Sequence, residues 1–237
     1  MEQKSELRKK IEAFAKTEIS VKTDRLSTKE YELVKKLVKA GEVADRIFWK
    51  QTSTDAVTTR EILAAKDDKT SKEALEYVML NYGPYDREDG KRFTGTGAGT
   101  RPEGGTFYPA DMTKEEFEIY VKSHPKEEKA LTDLYTVIVR DGKNFKAVPY
   151  HDHYKTELTE MSLLLKEASD LAENESLKKY LAARAKAVMT DDYYTSDVLW
   201  MKLKDNNVDI VIGPIENYED GLFNYKAAYE SAVMIKD

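Results

Sequence analysis

The chain of 237 residues has no cysteine, which excludes disulfide bonds and thiolate chemistry. It also lacks any apolar run long enough to span a bilayer. Its opening residues, MEQKSELRKK, are mostly charged or polar and lack the apolar core of a secretory signal. We therefore expect a cytoplasmic protein, or a periplasmic or exported one if a signal segment has been removed, because a cysteine-free chain suits either compartment.

Basic residues are in the minority, since 38 Lys and Arg stand against 44 Asp and Glu, for a formal net charge of -6. A nucleic-acid-binding surface needs an excess of basic charge on one face, so this balance argues against such a surface. The lysine pairs at 35–36 and 178–179 fall on predicted helical faces and are interpreted as solvent-exposed. We expect neither a nucleic-acid nor a membrane partner.

Histidine is scarce, and the three present are His124, His151 and His153. A zinc site on a helix needs two histidines one turn apart, and none of the three has such a partner. His151 and His153 would share a face on a strand and could then hold a metal, but they diverge at the start of a helix. Because an amphipathic helix follows directly, we favour divergence and predict no metal ligand in this chain.

What the sequence does contain is a series of amphipathic helices. Ser27-Thr-Lys-Glu30 and Thr113-Lys-Glu-Glu116 are capping boxes, each of which predicts a helix start. The first of these helices runs to about Gln51. Ser71 is predicted to cap a later helix, and Thr195 or Ser196 to cap another. Two later apolar stripes, at 158–172 and 177–188, predict helices that pack antiparallel because their connection is short.

Four segments have the β-branched and aromatic composition of strands. Residues 134–140 and 145–149 predict a hairpin around Asp141-Gly142, and residues 208–212 and 225–235 predict two more strands that join it. We predict an α+β fold, a mainly helical lobe with a small, mostly antiparallel β-sheet formed by residues 134–149 and 208–235. One lobe is expected to span residues 1–237, with helices in 1–133 and 151–204.

Residues 83–111 form an unusual loop that holds seven of the eleven glycines and three of the six prolines. Within it, Gly95-Thr-Gly-Ala-Gly99 superficially resembles a phosphate-binding loop. No strand precedes it, no helix directly follows, and no Gly-Lys-Ser/Thr is present, so nucleotide binding is disfavoured. The aromatic residues of the segment indicate an ordered, Ω-like loop that is pinned onto the body of the protein.

The terminal segment is the candidate binding site. The apolar run at 208–212 meets Gly213-Pro214, where we expect the strand to stop, and an acidic and aromatic turn with Glu216 and Tyr218 follows. The last strand then places Glu230 among apolar neighbours. Two strands that flank a carboxylate-rich turn form a receptor for a cationic group, whereas the simpler alternative is that these acids are solvated turn residues.

Several segments carry a resemblance to a known family. They are Gly-Pro-Ile-Glu-Asn-Tyr-Glu-Asp at 213–220, Phe-Asn-Tyr-Lys-Ala-Ala-Tyr-Glu at 223–230, Asn-Tyr-Gly-Pro-Tyr-Asp at 81–86, and Phe-Tyr-Pro-Ala-Asp-Met at 107–112. Together they resemble the dipeptidyl peptidase III family of zinc metallopeptidases, especially its bacterial branch. The resemblance implies that Glu216 and Tyr218 bind the amino terminus of a peptide substrate and that Glu230 is a supporting acid.

The same resemblance implies a catalytic zinc held by a His-Glu-x-x-Gly-His-like motif, which this sequence lacks. The chain therefore resembles the amino-terminal portion of such an enzyme, without its catalytic and metal-binding residues. Our first hypothesis is the substrate-binding half of a zinc-dependent dipeptidyl peptidase, an exopeptidase that releases dipeptides from peptide amino termini. Alone this half would be inactive, and its partners would be the peptide amino terminus and a carboxy-terminal, zinc-carrying half.

Two other functions are alternatives to this hypothesis, and the sequence leaves open whether this chain is part of an enzyme. The alternative hypothesis is a non-catalytic peptide- or protein-binding module that is derived from the same scaffold. An unrelated hydrolase of the nucleoside diphosphate class ranks last, because no Arg-Glu-x-x-Glu-Glu helix follows a glycine.

Overall fold

The computed structural model describes residues 5–97 and 99–236, with ten helices and four strands in these ranges. In chain order the elements are α1 Glu6–Ala13, α2 Thr28–Thr52, α3 Ala56–Ala64, α4 Lys69–Asn81, α5 Lys114–Ser123, α6 Glu128–Leu131, β1 Thr136–Asp141, β2 Asn144–Pro149, α7 Tyr150–His153, α8 Lys155–Leu171, α9 Glu175–Ala187, α10 Tyr194–Met201, β3 Val208–Glu216 and β4 Ala228–Ile235. No helix in the described ranges is long and apolar enough to cross a bilayer.

The predicted α+β class, with antiparallel strands in 134–149 and 208–235, is confirmed. Among the described residues the strands form two separate two-stranded sheets, β1–β2 and β3–β4, and not one joined sheet. The free edge of β1 is not available to β3 or β4, because residue 107 occupies it: the Ile138 N–H donates to the Phe107 carbonyl at 2.8 Å. A backbone hydrogen bond from the Ala227 N–H to the Leu134 carbonyl, 2.9 Å, links the two regions.

Helix α2 is the central element of the core. Its capping box is confirmed, since the Ser27 side chain accepts from the Glu30 N–H and the Glu30 carboxylate accepts from the Ser27 N–H. Its buried apolar side chains recur at helical spacing and face α8 and β4. Gly41 lies where α2 crosses β4, and a Cβ there would be only 2.9 Å from Ser231 Oγ.

Other helix starts differ in part from the prediction. Asn174 caps α9 by accepting from the N–H groups of residues 176 and 177. We expected Ser71 to cap α4, but Asp68 does so and Ser71 donates its N–H to that carboxylate. We also expected Thr195 or Ser196 to cap α10, but α10 begins at Tyr194 without a side-chain cap. Both helices start earlier than predicted. The error arose because polar residues in the first turn of a helix resemble capping residues in the sequence.

Buried tyrosines connect the helical body to the terminal strands. The Tyr150 hydroxyl donates to the Ala227 carbonyl and the Tyr180 hydroxyl to the Ile210 carbonyl, both at 2.9 Å. The hydroxyls of Tyr193 and Tyr229 lie 3.1 Å apart. Because these phenols are almost fully buried, each hydrogen bond offsets the cost of placing a polar atom in the core.

The glycine-rich segment, residues 83–111, packs against the rest of the protein, as the sequence predicted. Its described part contains no helix or strand. Tyr85, Phe107 and Tyr108 are buried. Gly105 has φ +52, and a Cβ there would lie 2.4 Å from the Gln51 carbonyl oxygen, so this close approach needs glycine. In the 95–99 stretch, whose Ala98 lies outside the described residues, Gly97 packs against the guanidinium of Arg92.

Candidate functional site

Strand β3 continues past Gly213 and Pro214 to Glu216, so the predicted stop at Ile212 was wrong. Pro214 has no N–H to donate to the ladder, and the ladder is already interrupted here, since Tyr229, the residue opposite, donates its N–H to Gln51 Oε1 at 2.8 Å. A register shift follows between Pro214 and Glu216, where the strand bulges. The extra residue brings Glu216 towards Glu230 of β4.

The three residues predicted for the site lie together. Burial and the neighbouring charge of Glu216 raise the pKa of Glu230, although an interaction with the backbone of Glu216 opposes this. Partial desolvation and the charges of Glu230 and Glu216 raise the pKa of Tyr218, whose side chain also interacts with the Glu216 carboxylate. Tyr218 is 63% exposed, so much of its ring remains available to a ligand.

A cavity of about 260 Å³ lies beside these residues. Its lining residues come from α2, from the end of α4 and from the terminal hairpin: Asp45, Phe48, Tyr82, Tyr218, Tyr229, Glu230 and Ser231. Glu216 is not part of this lining, but its carboxylate interacts with the side chain of Tyr218, which is. Burial and the adjacent Asp45 carboxylate raise the pKa of Tyr82. Asp45 belongs to α2 and adds a second carboxylate to the cavity lining, beside Glu230 of β4.

Sequence reasoning missed Asp45, Phe48 and Tyr82. Tyr82 belongs to a segment that carries the family resemblance, so that segment could have indicated it. Asp45 and Phe48 look like ordinary helix positions, because Phe48 fits the apolar stripe of α2 and an exposed acid is common on a helix. Only the crossing of α2 over β4 makes them part of the cavity.

Asp45 and Glu230, which line the cavity, and the adjacent Glu216 have no basic partner in the part of the chain that the structure describes. Within the described ranges, no lysine, arginine or histidine nitrogen lies within 4.0 Å of the carboxylates of Asp45, Glu216 or Glu230. Glu230 is partly desolvated, and an unpaired carboxylate in that environment attracts a cation more strongly than a fully solvated one. The arrangement can therefore accept an ammonium group.

The two acids that follow Tyr218 are used differently. Glu219 is 6% exposed and pairs with Arg87, whose Nη1 lies 2.5 Å from Oε1, and with Arg101. Asp220 is fully buried and accepts from the Tyr108 hydroxyl at 2.7 Å. It also accepts from the backbone N–H groups of Leu222, Phe223, Tyr225 and Lys226. Glu219 and Asp220 thus fix the turn and are not available to a cation.

The histidines lie away from this cavity. His151 and His153 are on the short helix α7, where His151 Nδ1 lies 2.7 Å from Asp191 Oδ2. His124 ends α5, and its ring stacks on Tyr120 with centroids 3.9 Å apart. In residues 5–97 and 99–236 no three His, Asp or Glu side chains form a group that could hold a metal ion.

The chain has a mainly helical α+β fold with an acidic, tyrosine-rich cavity at its terminal hairpin. A model of peptidase family M49 matches residues 109–237, and the chain belongs to this family. The resemblance to dipeptidyl peptidase III is confirmed.

Two solved structures are similar over almost the whole chain. DPP III from Caldithrix abyssi superposes with a TM-score of 0.93 at 42% sequence identity, covering 97% of this chain and 44% of that chain. Dipeptidyl-peptidase III from Corallococcus sp. strain EGB superposes with a TM-score of 0.93 at 37% identity, covering 98% and 43%.

A curated relative carries a different name. Nudix hydrolase 3 of Arabidopsis thaliana is 29% identical over 282 residues, covering 98% of this chain and 36% of the plant protein. The chain thus spans less than half the length of each of these relatives. Its own sequence has no Arg-Glu-x-x-Glu-Glu pattern that would accompany nucleoside diphosphate hydrolysis.

Proposed function

We propose that this chain is the substrate-binding half of a zinc-dependent dipeptidyl peptidase and that it binds the amino terminus of a peptide. Membership of peptidase family M49 and similarity to two dipeptidyl peptidase III structures support this function. The observation that carries it is the pair of carboxylates, Glu216 and Glu230, that have no basic partner in the described structure while neighbouring Glu219 has two.

In this proposal the terminal ammonium binds between Glu230 and Glu216. Each carboxylate raises the pKa of a neighbouring group by unfavourable interaction, and an ammonium would relieve that repulsion. The Tyr218 hydroxyl supplies a further hydrogen bond. The rings of Phe48 and Tyr82 contact the apolar part of the first residue, and Asp45 limits how far that residue enters.

A dipeptidyl peptidase must also place the second peptide bond at its reactive centre. Holding the amino terminus at a fixed point achieves this, because an extended peptide has a nearly constant length per residue. By the family resemblance, zinc would activate water and polarise the carbonyl in another part of the protein. This chain would contribute binding and orientation.

The test measures the affinity of the 237-residue chain for two peptides by calorimetry, one with a free amino terminus and one N-acetylated. We expect the acetylated peptide to bind at least about tenfold more weakly, because it lacks the charge. Glu230→Gln and Glu216→Gln should each reduce the difference, whereas Glu32→Gln, on the exposed face of α2, should not. Equal affinity for both peptides would refute the proposal.

A second measurement concerns the whole protein. Glu216→Gln there should weaken the selection of dipeptidyl substrates and leave the zinc content unchanged. Peptide binding without release of dipeptides by the whole protein would favour the non-catalytic binding module.

A further inference from the structure

Arg87, from the glycine-rich segment, connects two walls of the candidate cavity. Its Nη1 lies 2.5 Å from Glu219 Oε1 and its Nη2 lies 3.4 Å from Glu219 Oε2. The same guanidinium lies 5.5 Å from the ring centre of Phe48 and 5.9 Å from that of Tyr82. Arg87 therefore contacts the α2 side of the cavity and the residue that follows Tyr218 at the same time.

The Arg87 side chain is itself fixed. Its Nε donates to the Asn81 carbonyl at 3.0 Å, and its backbone N–H donates to Asn81 Oδ1 at 2.9 Å. Asn81 is 5% exposed and anchors this contact at the end of α4. A guanidinium that is held in this way loses little freedom when it pairs with a carboxylate, so its partner is held in place as well.

Arg101 holds Glu219 from a second direction. Its Nη2 pairs with Glu219 Oε2, and its backbone N–H donates to the Gly90 carbonyl at 2.8 Å. The Gly221 N–H donates to the Glu103 carbonyl at 2.8 Å, so the segment also grips the turn beyond Glu219. The turn that carries Glu216 and Tyr218 thus rests on residues 87–103.

The two arginines also neutralise a third acid near the cavity. The charge of Glu219 contributes to the raised pKa of Glu230 and of Tyr218 even in its paired state. Without the arginines this buried charge would act on both groups at full strength. The pairing therefore fixes the position of the turn and limits the negative charge around the ligand site.

We propose that Arg87 and Arg101 are positioning residues that, by holding Glu219, set Tyr218 and Glu216 in the geometry that binds a peptide ammonium group. This inference rests on the proposed function and gives the glycine-rich segment a specific role in it. The arginines do not touch the ligand and act only through the turn.

The test uses the free and acetylated peptides with Arg87→Ala. We expect affinity for the free peptide to fall about tenfold and affinity for the acetylated peptide to stay unchanged, which removes the discrimination. Arg140→Ala is the matched control. Arg140 also joins two elements by pairing with two carboxylates, Asp111 and Glu116, but touches no residue of the cavity lining.

A readout without ligand separates positioning from general stabilisation. In Arg87→Ala the titration of Glu230, followed by carboxyl ¹³C NMR, should move to higher pH, because Glu219 has lost one cation. In Arg140→Ala it should not move. If Arg87→Ala fails to fold, Arg87→Lys serves instead, since it keeps one charge beside Glu219 but loses the parallel hydrogen bonds and the flat contact with the rings. It should lose part of the discrimination.

The outcomes distinguish the two proposals. A parent chain that does not discriminate between the peptides overturns the proposed function, and this inference with it. If the parent discriminates, Glu230→Gln abolishes the difference and the Arg87 variants retain it, the positioning role is overturned while the proposed function stands. Loss of discrimination in Arg87→Ala together with an unchanged Arg140→Ala supports the inference.

Discussion

Lys226 is fully buried, and we predict that it makes the stability of this chain depend on pH in a defined window. Its Nζ donates to the Leu131 carbonyl at 2.7 Å, to the Asp133 carbonyl at 2.8 Å and to Thr136 Oγ1 at 2.7 Å. Burial lowers its pKa to about 7, although the charges of Asp133 and Asp220 oppose this. The perturbation is Lys226→Met, which keeps an unbranched chain and removes the titrating group.

The direction in which stability changes with pH follows from the number of protons that the folded and unfolded states bind. A lysine in the unfolded chain has a pKa near 10.4, so between pH of about 7 and about 10.4 the unfolded state binds a proton that the folded state does not. Stability of the parent therefore rises with pH across this window, at up to about 1.4 kcal/mol per pH unit. Between pH values of about 7.5 and about 9.5 the parent should gain about 2.5 kcal/mol relative to Lys226→Met.

Urea unfolding of both proteins at the two pH values measures this gain. Methionine leaves three acceptors without a donor, but that cost is the same at both pH values and cancels in the comparison. The buried tyrosines are common to both proteins and cancel as well. Lys146→Met, at an exposed position of β2, should show the pH dependence of the parent. Parallel pH dependences of the parent and Lys226→Met would refute the reasoning.

Three further outcomes are expected. Affinity for the free peptide should rise with pH through the raised pKa of Glu230 and fall when the terminal ammonium loses its proton, and a pH-independent affinity in calorimetry would contradict this. Gly105→Ala should destabilise the chain by about 3 kcal/mol in urea, because the new Cβ meets a carbonyl, whereas Gly142→Ala, with φ +61 and open space, should cost about 1 kcal/mol. Equal losses would count against that explanation. Ser27→Ala should cost about 1 kcal/mol, and no change in the thermal midpoint would exclude a role for the capping box.

Local signals predicted the helical framework well. The capping box at Ser27 and the side-chain cap at Thr113 join groups three residues apart, so the sequence contains both partners of each contact. The second half of the box predicted at Thr113 is not formed, because the Glu116 carboxylate pairs with Arg140. The arrangement of the strands was harder to predict. Whether β1 joins β3 depends on Phe107 occupying the edge of β1, and no local pattern reports such a contact.

The candidate site shows the same division. Glu216 and Glu230 were identified from the composition of the turn and from the family resemblance. Their closeness depends on the bulge after Pro214, which the sequence did not predict because Gly213-Pro214 looked like the end of the strand. Glu219 looks like an equally good ligand for a cation. Its two arginine partners lie 132 and 118 residues away, which no reading of the turn alone could reveal.

The contact between Tyr229 and Gln51 joins residues 178 positions apart. A ribosome releases α2 long before it has made the strand against which that helix rests. Until then the surface of α2 around Gly41 is not covered by β4, and the core of the nascent chain is incomplete. Folding of this part of the protein therefore cannot be completed before β4 has been synthesised, and shortening the chain before Tyr229 should leave exposed apolar surface that chaperones bind.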